Sequence, residues 1–150
     1  MSPTRVTITK SMNASPEAVW QELAAIEQHV DWMADAVALD FHSDQRRGVG
    51  TAFACTTKIG PFKTIDEMEI DRWEEGSAIG VTHRGAVTGT GVFTIAATSG
   101  SESTVTWSEA LTFPWWMGGV IGSKFAQPIF RWIWRRNLDR LALRLESDQS

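Results

Sequence analysis

The sequence predicts a single α+β domain in which a curved antiparallel sheet of about seven strands wraps around a long C-terminal helix and encloses an apolar pocket. Three observations carry that expectation. Between Ala36 and Phe113 apolar residues recur with a period of two and are cut by short turn-forming clusters, the pattern of a hairpin meander. Beyond Pro114 the period changes: Ile121, Phe125, Ile129 and Ile133, then Leu138, Leu141 and Leu145, form one helical face over some seven turns. The 150 residues suit one core and contain no repeat, low-complexity tract or linker at which to divide them.

The elements follow in order. Arg5 to Lys10 alternates, with Val6 and Ile8 on one face, and opens the sheet. Ser15-Pro16-Glu17 is a helix start: a hydroxyl to cap free amides, a proline at the first helical position and an acid for the helix dipole. Val19, Trp20 and Leu23 form its inward stripe, and a second short helix, Ile26 to Met33, is expected to bury Val30 with Trp32 or Met33. Val37, Leu39 and Phe41 share a strand face, followed by Phe53 and Cys55, then Phe62, Met68 and Ile70. Ile79 and Val81, Val87 to Ile95, and Val105, Trp107, Leu111 and Phe113 complete the meander, with turns at Ile59–Phe62, Glu74–Ser77 and Ser99–Ser101. Pro128 lies within the terminal helix, where its missing amide and ring should bend the chain.

Composition narrows the function. Eight Trp and seven Phe against no Tyr give much aromatic wall and exclude any tyrosine-based chemistry. The single cysteine, Cys55, allows no internal disulfide and reads as a small buried hydrophobe. His29, His42 and His83 lack metal-ligand spacing, so neither a metal nor a cofactor is expected. Net charge is −4, yet between residues 124 and 144 Lys124, Arg131, Arg135, Arg136, Arg140 and Arg144 stand against Asp139 alone. That face is either solvated or a peripheral contact for anionic headgroups; an acidic chain without a recognition motif is not expected to bind nucleic acid. Met1 to Lys10 has no apolar signal core and no apolar run reaches a membrane span, so a cytoplasmic location is expected.

A long helix following so many strands must bury its stripe on the sheet. Glycines 89, 91, 118, 119 and 122 remove side-chain volume there, and a cavity is the consequence unless Trp and Phe fill it. Its sheet wall should be Phe53, Met68, Phe93, Trp107 and Leu111, and its helix wall Phe125 and Ile129. Gly118 to Gly122 lacks the strand and lysine of a phosphate loop and is expected to be a hinge at the pocket mouth.

Ala14-Ser15-Pro16-Glu17-Ala18-Val19-Trp20 with Trp32, Gly48-Val49-Gly50-Thr51-Ala52-Phe53, Trp107-Ser108-Glu109 through Pro114, and Arg135-Arg136-Asn137-Leu138 occur in an order that resembles the START-like (SRPBCC) superfamily. Its polyketide cyclase/dehydrase and lipid-transport branch is the most similar, and the resemblance spans about Val6 to Glu146. It implies a helix-grip fold with a hydrophobic ligand cavity. It implies no single reaction, since members include carriers, receptors, cyclases and chaperone-activating partners, and no catalytic set is carried over.

Strand parity adds three ionisable residues to the apolar faces: Asp66 with Phe62 and Met68, His83 with Ile79 and Val81, and Glu109 with Trp107 and Leu111. Pairing about the Glu74–Ser77 turn sets His83 opposite Met68 and diagonal to Asp66. Pairing about Ser99–Ser101 sets Glu109 opposite Phe93, on the order of 20 Å from His83. Asp66 and His83 are then either an acid/base or ligand-anchoring pair or a wet strand end, with Glu109 apart. Three functions remain: a carrier or binder of a small hydrophobic molecule, a cyclase or dehydratase using these groups, or a membrane or protein contact through Trp115, Trp116 and the arginines. Neither the ligand nor the oligomeric state is legible.

Overall fold

The computed structural model describes residues 3–114 and 119–148. Strand β1 (Thr4–Met12) is followed by helix α1 (Pro16–Ala24) and a 3-10 helix (Ile26–Asp31). Strands β2 (Ala36–Phe41), β3 (Ala52–Ile59), β4 (Phe62–Glu74), β5 (Ala78–Arg84), β6 (Thr88–Ala97) and β7 (Ser103–Thr112) then precede helix α2 (Gly119–Asp148). The strands form one antiparallel sheet in the order β1-β7-β6-β5-β4-β3-β2, so the meander closes back onto the first strand and β1 and β2 are its edges. This is the helix-grip arrangement expected from the sequence.

Local chemistry sets the ends. Ser15 Oγ accepts the Ala18 amide at 3.2 Å, capping α1, and Val19, Trp20 and Leu23 turn inward. Gly60 takes the positive φ of 57° that the two-residue turn between β3 and β4 requires at its first position. β7 is the clearest strand, with Ser103, Val105, Trp107, Glu109 and Leu111 buried and every intervening residue half-buried.

Three packing expectations are corrected. Inside the 3-10 helix Ile26 and His29 are buried and Val30 is only partly so, because that helix eclipses positions three apart. A bulge between Ala36 and Ala38 moves Val37 off the inner face and leaves it exposed. The terminal stripe is tight only from Trp134 onward, through Leu138, Leu141, Ala142 and Leu145; Phe125 and Ile129 are 72% and 51% exposed. α2 runs continuously from Gly119 through Pro128, so the proposed glycine hinge is helical from Gly119 on. Gly118, Trp115, Trp116 and the side chain of Ile121 lie outside the described residues.

Polar side chains fix the helix. Gln127 donates to the Arg5 carbonyl and Arg131 to that of Thr7, satisfying the free edge of β1. Buried Asn137 donates to Asp35 at 2.7 Å and accepts the Ala34 amide at 3.0 Å and Arg140 at 2.9 Å, tying α2 to the start of β2. Arg144 pairs with Glu22 and Asp31. The basic face is therefore partly a lashing rather than a free patch. Asn137→Ala strands the Ala34 amide and a half-paired carboxylate, and is expected to cost about 3 kcal/mol in urea unfolding.

Candidate functional site

Between the concave sheet face and the first half of α2 lies a cavity of about 530 Å³. Phe53, Met68, Phe93, Trp107 and Leu111 from the sheet, and Phe125 and Ile129 from α2, all line it, as do Asp66, His83 and Glu109. The aromatic side chains wall the space without filling it. Phe130 stacks on Phe113 and Trp134, Trp134 on Trp107, and Trp107 lies 4.8 Å from Phe93, centroid to centroid. Trp32, whose indole N–H finds no acceptor among the described residues, backs this row edge-on to Phe93 and Trp107. At the other end Phe62, Phe125 and Ile129 are exposed while still lining the cavity, so it opens there.

The charged centre differs from the expected one. His83 does stand opposite Met68, but Glu109 stands opposite Gly91 rather than Phe93, and His83 opposite Gly89. His83 Nε2 and Glu109 Oε2 are 3.0 Å apart, and the Trp107 indole N–H donates to Glu109 Oε1 at 3.0 Å. The pair is thus His83–Glu109, not Asp66–His83. Its members sit on β5 and β7, two strands apart, and meet because β6 offers only glycine beneath them. A Cβ on Gly91 would lie 2.5 Å from both Glu109 carboxylate oxygens.

Burial disfavours a charged His83, but the hydrogen bond and charge of Glu109, with the charge of Asp66, outweigh it and raise the imidazole above its ordinary value. Asp66 is buried and, among the described residues, accepts only from the Thr64 hydroxyl at 3.2 Å and the Val87 amide at 3.5 Å. Cys55 faces it across β3 and β4, and burial pushes the thiol up to about 11, which leaves it protonated and inert at neutral pH.

His29 also lines the cavity. Its Nε2 contacts the Leu23 carbonyl at 2.8 Å, and burial lowers it to about 4 despite that bond. Only its position three residues after Ile26 could have signalled it. The folded protein holds this ring neutral, whereas the unfolded chain takes up a proton below about 6.5. Stability should therefore fall by about 3 kcal/mol as pH drops from 6.5 to 4, a slope that His29→Gln flattens in denaturant titrations.

Among the described residues no group of three or more His, Cys, Asp or Glu could hold a metal ion, and no helix is long and apolar enough to cross a membrane.

Comparison with known proteins agrees with this architecture. The family model described as polyketide cyclase / dehydrase and lipid transport matches residues 3–146. A solved structure from Thermus thermophilus superposes with a TM-score of 0.79 at 17% identity, covering 97% of this chain and 99% of that one. The Zhui aromatase/cyclase from a Streptomyces species gives 0.70 at 12% identity, with 96% and 92% covered. A START superfamily protein from Mycobacterium smegmatis gives 0.68 at 13% identity, with 96% and 95% covered. A search of curated proteins found no match.

Proposed function

Because the chain belongs to the polyketide cyclase / dehydrase and lipid transport family, we propose that it binds and carries a small hydrophobic molecule in the cavity between sheet and α2. The observation that supports this reading is the coexistence of an open 530 Å³ apolar space with one charged pair set into its wall. Burying about 300 Å² of apolar ligand surface at ~25 cal/mol per Å² contributes roughly 7.5 kcal/mol before the cost of immobilisation, so micromolar binding needs the polar contacts of the cavity wall as well. His83 and Glu109 orient the polar end. The exposed rim of Phe62, Phe125 and Ile129, with Lys63 and Lys124 adjacent in the chain and Lys58 paired across the hairpin from Lys63, suits brief contact with an anionic membrane during loading.

Organic extraction of the purified protein followed by mass spectrometry tests the proposal. A stoichiometric apolar compound supports it. An empty protein whose unfolding temperature is unmoved by any apolar compound contradicts it.

A second reading, a cyclase or dehydratase, draws on the same pair. An imidazole whose proton is held more tightly than usual by a neighbouring carboxylate, inside an apolar wall, can act as a general acid with its counter-base in place. Turnover would then follow the titration of His83 and vanish in His83→Phe, whereas carriage would persist.

A further inference from the structure

The charges facing the cavity restrict what can enter it, given that the cavity binds a hydrophobic ligand as proposed above. The ionisable lining residues are His29, Asp35, Asp66, His83 and Glu109, with Cys55 held as a neutral thiol; no lysine or arginine is among them. Asp35 is engaged by Asn137 and the Trp134 indole. Glu109 is engaged by His83 and Trp107. Asp66 is different. It is 5% exposed, forms no ion pair among the described residues, and has two uncharged donors, one of them at the long distance of 3.5 Å. A carboxylate offers about four acceptor sites, so acceptor capacity is left over at the cavity wall. Leaving such a group buried with acceptor sites unmet and no direct ion pair is costly, and an incoming cationic donor relieves that cost.

We infer that the ligand's polar end is a positively charged hydrogen-bond donor, an amine carried on an apolar skeleton, seated on Asp66 beside the His83–Glu109 pair, and that amphiphiles ending in a carboxylate are excluded. The apolar skeleton lies along Met68, Phe93 and Trp107. Selection arises from charge, because an anion entering this wall meets carboxylates, and the basic side chain that faces it, His83, is already held by Glu109.

Three compounds with one skeleton test this: 2-(2-naphthyl)ethylamine, 2-(2-naphthyl)ethanol and 2-naphthylacetate, titrated calorimetrically at neutral pH. The amine should bind at least about tenfold more tightly than the acid, with the alcohol between them. Asp66→Asn should bring the amine-to-alcohol ratio close to one. An acid that binds as well as the amine overturns the inference, as does a ratio that Asp66→Asn leaves unchanged. If Asp66→Asn does not fold, the ranking in the unmodified protein decides alone. Should the alcohol bind but the amine no better, the inference fails while the cavity proposal stands. Should none of the three bind, both fail.

Discussion

Glu109→Gln should carry the His83 imidazole from above its ordinary value to below it. Burial is the largest single influence on His83 and acts downward; the two contributions of Glu109 and the weaker one of Asp66 together reverse it. With Glu109 made neutral, only the smallest upward influence remains, and burial prevails. A proton NMR titration of the His83 ring reads the change directly. Stability should follow with a defined sign. A base raised on folding adds stability that is fully present below about 6.5 and is lost as pH climbs through the raised folded value. The unmodified protein should therefore lose that contribution on the alkaline side, and Glu109→Gln should lack it throughout. The lost charge-assisted bond is itself worth about 2 kcal/mol below neutrality. A ring titration in Glu109→Gln that stays above the ordinary value would show that the carboxylate is not the cause.

Gly89→Ala is expected to be the most damaging single-methyl change in the sheet. Gly89 has φ 145°, and a Cβ there would lie 2.0 Å from the Ala110 carbonyl oxygen. That oxygen belongs to the backbone of β7, so relief requires separating β6 from β7. The cost should be about 4 kcal/mol or more, equivalent to a fall in Tm on the order of 10 °C for a domain of this size. Gly91→Ala, two residues along, is the control. Its Cβ would meet the Glu109 carboxylate, a side-chain end that can swing aside. Gly91→Ala should thus keep most of its stability while breaking the His83–Glu109 contact. Thermal unfolding separates the two variants, and equal losses would show that the inner face of β6 is not crowded as described.

The same two glycines explain why the fold was legible in the sequence and the charged pair was not. Period alone identified β7, since its polar and apolar residues alternate without a break. The Ser15 cap and the change of period after Pro114 identified the helices. Register depends on where each turn is centred. The loop before β7 spans 98–102 and is centred on Gly100, so setting Glu109 opposite Phe93 placed that centre one residue too late. The β5–β6 turn is centred on Ala86, one residue later than a gap of about 20 Å between His83 and Glu109 implies. Each slip moves a partner by two residues, and both slips widened the apparent gap between His83 and Glu109. They kept inward residues inward, so all the expected wall residues still line one cavity while the pairing among them changed. A side chain reaching across a whole strand is foreseeable only once glycine is placed beneath it. The Asn137–Asp35 bond joins residues 102 apart in the chain and has no local signature. The bulge at Val37 similarly follows from pairing with β3, not from the composition of β2.

The proposed carrier role requires that the space under α2 accept an apolar ligand. Co-crystallisation with 2-(6-bromo-2-naphthyl)ethylamine and location of the bromine by anomalous scattering test this most directly. One bromine peak should appear inside the cavity, among Met68, Phe93, Trp107 and Leu111. A peak confined to the outer surface, or a cavity closed by the protein's own side chains with no bromine in it, would contradict the proposal.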